Sequence, residues 1–156
     1  MEDLEYKNCE PFVPSFPGAK VKVIKVYDGD TCHVGYINPE GKGVRHCCRL
    51  YGIDTPELRT RDAEEKAAGY VAKKLLVDAC LGKIVNIRVR GLDKYGRVLA
   101  EFSTETIPDL SQYMISTGLA VRYEGGRKAA VDWGGRHRIY EEGLGSSPEN
   151  SPSLPE

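Results

Sequence analysis

The sequence has no apolar run long enough to span a bilayer, and its first residues, Met1-Glu2-Asp3-Leu4-Glu5, lack the basic and apolar regions of a secretory signal. Glu at position 2 excludes N-myristoylation. None of the Asn residues stands in an N-x-Ser/Thr sequon, so nothing points to glycosylation. Cysteine is sparse and odd in number: Cys9, Cys32, Cys47, Cys48 and Cys80 form no C-x-x-C pair. That excludes a disulfide framework and leaves His46 without a second cluster to complete a zinc set. Packed, reduced thiols are expected, with an intracellular location and no membrane partner.

What is present suits one domain. The 156 residues are 40% apolar and 29% charged, enough to bury a core without cross-links. The net charge of −1 conceals a segregation. Between Lys20 and Glu142 there are 21 basic against 17 acidic residues, whereas the flanks carry one basic and six acidic. A mildly basic domain favours anionic ligands, although this signal is weak alone.

Residues 1–19 are Pro-rich and aperiodic, and read as an arm outside the core. Residues 143–156, mostly Gly, Ser, Pro and Glu, read as a disordered tail. The domain between them, residues 20–142, alternates as strands should over Val21–Tyr27, Thr31–Ile37 and Val44–Ile53. A helix follows from Arg61 to Leu81, with Ala68, Val71, Ala72, Leu75 and Ala79 on one stripe. Asp62 and Glu65 suggest a capping box there. Strands over Ile84–Arg90 and Arg97–Phe102 flank a turn, and Pro108 and Gly118 bracket a short helix. At the C-terminus only Arg136–Glu142 remains for a last helix. Five strands with a helix after the third predict an α+β fold built on a Greek-key OB barrel.

Three segments gather carboxylates and cations at strand ends. Asp28-Gly29-Asp30-Thr31 is a turn whose acids could hold a hard cation, or simply a β-turn. Arg49-Leu50-Tyr51-Gly52-Ile53-Asp54-Thr55-Pro56-Glu57 presents two carboxylates and a guanidinium, which could equally be a structural Arg49–Asp54 pair beside an exposed Glu57. Asp93-Lys94-Tyr95-Gly96-Arg97 is a hairpin turn carrying two cations around a ring, suited to phosphate and base.

In this order the three segments resemble the staphylococcal-nuclease family, over about Val21 to Trp133. Arg59-Thr60-Arg61-Asp62 and Tyr123-Glu124-Gly125-Gly126 look more like its compact viral and phage-type members. The resemblance implies a nuclease that hydrolyses DNA or RNA phosphodiesters by in-line attack of water and leaves 3′-phosphates. It implies one Ca²⁺, with Mg²⁺ or Mn²⁺ as substitutes, on Asp30, Asp54 and the Thr55 carbonyl. Glu57 would act on the water, Arg49 and Arg97 would clamp the phosphate, and Lys94 and Tyr95 would contact a neighbouring nucleotide. The stacking tyrosine falls at Tyr123 or Glu124, and Tyr123 is the expected binding residue. A monomer is expected. The alternative is a non-catalytic OB module binding nucleic acid or protein, a role that retention of all five acids and arginines at Asp30, Arg49, Asp54, Glu57 and Arg97 disfavours.

Overall fold

The computed structural model describes residues 1–145. Five strands close into a barrel in the order β1 (Lys20–Val26), β2 (Thr31–Ile37), β3 (Gly43–Leu50), β6 (Val98–Ser103) and β5 (Ile84–Leu92), with β5 returning to β1. All pairings are antiparallel except β3 with β6, which is parallel and closes the barrel. The alternation of buried Val21 and Val23 with exposed Lys20 and Lys22 turns one face of β1 inward. A register shift between Val23 and Lys25 then admits an extra residue, so that Val26 still points inward. This is the expected α+β barrel.

The expected third strand, Val44–Ile53, is split. Gly52, at φ 84°, turns the chain after β3, and Ile53–Asp54 forms a separate strand β4 paired with β7 (Val121–Arg122). Helix α1 (Ala63–Cys80) buries Ala68, Ala72, Leu75, Leu76 and Ala79. Asp62 caps it as expected, its carboxylate accepting from the Glu64 and Glu65 N–H groups. The reciprocal half of the capping box is absent: the Glu65 carboxylate instead accepts from the Glu57 N–H at 2.8 Å. A contact with the preceding loop has displaced a local one.

Two glycines set how closely the site loops lie on α1. A Cβ at Gly29 would come within 2.8 Å of the Ala72 Cβ and 3.1 Å of the Thr55 side chain. One at Gly69 would meet Leu58 at 2.9 Å and the Pro56 and Glu57 carbonyls at 3.2 Å. Both the β1–β2 turn and the Pro56–Leu58 loop are therefore seated directly on the helix.

Helix α2 (Leu110–Ser116) lies where expected, capped by Asp109. The last helix, α3, is longer than expected, Trp133–Gly145 rather than Arg136–Glu142. Its first turn holds Gly134 and Gly135, poor helix formers, but buried Trp133 and Tyr140 pin it, and Asp132 accepts from the Gly135 N–H at 3.0 Å. The tail expected from Gly143 thus begins with helix, and residues 146–156 lie outside the described residues. The arm is also corrected. Phe16 is buried and packs edge-on against Tyr36 and His46, with ring centroids 5.1 and 5.5 Å away.

All five cysteines are free, with Cys32, Cys48 and Cys80 buried. Burial pushes the Cys48 and Cys80 thiols up to about 12, so they pack as apolar groups. Among the described residues no helix is long and apolar enough to cross a membrane.

Candidate active site

The three segments singled out in the sequence meet at one mouth of the barrel. The β1–β2 turn brings Asp30, the end of β3 brings Arg49, β4 brings Asp54, and the β5–β6 turn brings Asp93, Lys94, Tyr95 and Arg97. With Glu57, Tyr123 and Lys128, all of these residues but Asp54 line a cleft of about 770 Å³.

Arg49 lies at its centre. One terminal nitrogen is 3.0 Å from Asp30 Oδ2; the other donates to the Ile53 carbonyl at 2.9 Å and lies 3.5 Å from Asp54 Oδ1. The planar fork thus spans two carboxylates at once. Asp30, Arg49 and Asp54 are all buried, so this is no loose surface pair. Thr31 extends the network. Its hydroxyl donates to Asp30 Oδ1 at 3.0 Å and accepts from Arg97 at 3.3 Å.

Asp93 holds Arg97 in turn. One Asp93 oxygen accepts the Arg97 Nε–H at 2.6 Å, and the other accepts the backbone N–H groups of Tyr95 and Arg97. Despite some desolvation, these bonds lower the Asp93 pKa. Tyr95, exposed, receives the Lys94 ammonium 5.1 Å and the Arg97 guanidinium 5.5 Å from its ring centroid. The Arg49 guanidinium lies 5.6 Å from the centroid of the Tyr123 ring. Tyr123 therefore faces the site's central cation, while neighbouring Glu124 is an exposed lining residue.

Glu57 is half exposed on its loop, its backbone held by Glu65. Its carboxylate shares a cation with Asp54. The Lys128 ammonium lies 2.8 Å from Asp54 Oδ1 and 3.2 Å from Glu57 Oε1. Lys128 did not emerge from the sequence, and Asp93 and Glu65 emerged only as turn and cap residues, not as supports of Arg97 and the Glu57 loop. The one signal for Lys128 was the basic pair Arg127-Lys128 after Gly125-Gly126.

The donor set fits a hard divalent cation. Asp30 and Asp54 supply oxygen ligands of the type Ca²⁺ and Mg²⁺ require, and an ammonium already sits against Asp54 as a stand-in charge. Thr55 is buried beside them. Among the described residues no group of three or more His, Cys, Asp or Glu is placed to hold a metal ion by itself. An ion here would complete its shell with water and substrate oxygens, as Mg²⁺ commonly does and Ca²⁺ can.

Burial, and secondarily the charge of Asp28, raise the Asp30 pKa to about 7 against the opposing pull of Arg49. Folded Asp30 therefore keeps its proton to a higher pH than the unfolded side chain, whose value is 3.8. Between those values the folded state binds more protons, so stability falls as pH rises across that window. In chelator, the melting temperature should drop on the order of 5 °C from pH 4 to pH 7 through this group. Asp30→Asn should flatten that drop. An unchanged pH profile in the variant would show that Asp30 does not carry the effect.

A five-stranded barrel with carboxylates and guanidiniums converging at one mouth defines an OB-type protein with a charged cleft. Residues 47–132, more than half the chain, match the family described as staphylococcal nuclease homologue, and the chain belongs to that family. It is 27% identical over 143 residues to the probable endonuclease LCL3 of Yarrowia lipolytica, covering 78% of this chain and 62% of that protein. With the probable endonuclease LCL3 of Nakaseomyces delphensis it shares 35% identity over 95 residues, 59% of this chain and 36% of the relative. An uncharacterized endonuclease of Escherichia coli is 30% identical over 103 residues, 66% of this chain and 60% of the relative. The chain thus spans less than two thirds of the length of each of these curated relatives.

Proposed function

We propose that the protein is a divalent-metal-dependent nuclease that hydrolyses phosphodiester bonds of DNA or RNA. The observation that carries this reading is Arg49, fixed between buried Asp30 and Asp54 in the cleft that also holds Glu57 and Arg97. Family membership and the similarity to proteins named as endonucleases support it.

Asp30 and Asp54, with the Thr55 carbonyl, would hold Ca²⁺, or Mg²⁺ or Mn²⁺ in its place. The bound ion supplies Lewis-acid neutralisation of the phosphate and a lowered pKa for water. Arg49 and Arg97 bind the scissile phosphate and meet the charge that builds on its equatorial oxygens. Glu57 accepts a proton from the attacking water, whose oxygen bonds to phosphorus in line with the departing 5′ oxygen. The phosphorus–oxygen bond on that side breaks, the 5′ oxygen takes a proton from solvent and leaves as a hydroxyl on the downstream fragment, and the phosphate stays on the 3′ oxygen of the upstream fragment. Lys94 and Tyr95 on one wall and Tyr123 on the other receive the flanking nucleotides by charge and stacking.

The direct test is incubation with single- and double-stranded DNA and RNA in Ca²⁺, Mg²⁺, Mn²⁺ or chelator, with end-group analysis of products. Ion-dependent cleavage leaving 3′-phosphates is expected. Binding without cleavage in every ion would replace the enzyme with a non-catalytic nucleic-acid module.

Arg97 should act mainly on the transition state. Arg97→Lys keeps the charge but loses the fork and its Asp93 bond geometry, so kcat should fall by roughly 10- to 10³-fold, with KM changing less. A rise in KM alone would make Arg97 a substrate-binding residue only.

A further inference from the structure

Lys128 meets two acids more than seventy residues away in sequence, and none of the site roles above uses it. Among the described residues, it is the only cation in contact with Glu57 and the second on Asp54 after Arg49. Its segment is folded back over the cleft. Gly125 and Gly126 take positive φ, 95° and 76°, and the Tyr123 hydroxyl donates to the Gly126 carbonyl at 2.7 Å. The ammonium itself sits 5.7 Å from the Tyr123 ring centroid. The side chain remains 42% exposed, so a flexible four-carbon stem carries its charge at the rim rather than locked inside.

Resting on the nuclease reading above, we infer that Lys128 is a tethered counter-cation with two stations. In the free protein it neutralises Asp54 and Glu57 and competes with the divalent ion for Asp54. When the ion enters, the displaced ammonium turns to a phosphate flanking the scissile one, across the cleft from Lys94 and Arg97. One positive charge thereby weakens ion binding before substrate arrives and strengthens substrate binding afterwards. Ion and nucleic acid each relieve a cost to the other, so their binding is positively coupled.

The test is Ca²⁺ titration by calorimetry on the full chain, comparing wild type, Lys128→Met and Arg127→Met. Arg127→Met removes the same charge one residue away, at a side chain that touches neither acid. Lys128→Met should bind Ca²⁺ roughly three- to tenfold more tightly, the effect of removing one or two half-exposed ion pairs. Arg127→Met should stay within about twofold of wild type by the same scale. In saturating Ca²⁺, the salt dependence of binding to a phosphorothioate oligonucleotide should fall by about 0.7 in log–log slope for Lys128→Met, one phosphate contact on a single strand. Ion-free melting curves verify that each variant is folded.

Equal or weaker Ca²⁺ binding by Lys128→Met overturns the counter-cation, and an unchanged salt slope overturns its second station. Either result leaves the nuclease reading standing if wild type still cleaves. Failure of wild type to bind or use any of Ca²⁺, Mg²⁺ and Mn²⁺ overturns both.

Discussion

Replacing Glu57 by Gln is expected to lower kcat by about 10²- to 10⁴-fold, the usual cost of losing a general base. The substitution is nearly isosteric, and what seats the loop is not the Glu57 carboxylate. The backbone N–H is held by Glu65, and the Pro56–Leu58 segment rests on the helix at Gly69. The side chain is half exposed, with the Lys128 ammonium at 3.2 Å as its contact. Stability should therefore change by less than about 0.5 kcal/mol, as for other surface substitutions away from special features. Oligonucleotide affinity should hold as well, because Arg49 and Arg97 are untouched. Measured on one preparation, wild-type turnover by Glu57→Gln would remove Glu57 from the chemistry. Loss of folding would show instead that its carboxylate has a structural task.

Arg49 should show the opposite pattern, with stability and activity lost together. Arg49→Met keeps length and apolar stem but leaves Asp30 without its cation and Asp54 with Lys128 alone. Removing one partner from a buried ion pair typically costs about 3–5 kcal/mol. The melting temperature should fall on the order of 10 °C or more. That loss should be smaller at pH 5 than at pH 8, because Asp30, whose pKa is already raised to about 7, can then be neutral without its arginine. Activity should fall at least about 10²-fold at a temperature where the variant is folded, since one arm of the phosphate clamp is gone. A stable, active Arg49→Met protein would contradict the central place given to this guanidinium.

These two residues illustrate what could be read before the fold was known. Asp30, Arg49, Asp54 and Glu57 lie in short segments at strand ends, where the barrel topology alone brings them to one mouth. Each segment alone left a structural alternative open, and only their order along the chain, which resembles the family's, singled them out. Local pattern failed where a tertiary contact overrode a local preference. Glu65 left its own helix cap to hold the Glu57 backbone, and Gly134-Gly135 became helical because Trp133 and Tyr140 found the core. Phe16 broke no pattern; it simply had a partner, Tyr36, that an aperiodic Pro-rich stretch does not advertise. Lys128 was hidden for the same reason, since nothing near it in sequence announces two carboxylates across the cleft.

The parallel β3–β6 pairing has a kinetic meaning. Cys48 and Val98 can pair only after α1 and β5, which lie between them in the chain, have been brought round. Such non-local contacts are costly in loop entropy and form slowly. Arg49 stands beside Cys48 and Arg97 beside Val98, so the two guanidiniums proposed to grip one phosphate come together only at that closure. During refolding, substrate binding should therefore return with the slowest phase, after the α1 signal in circular dichroism has recovered.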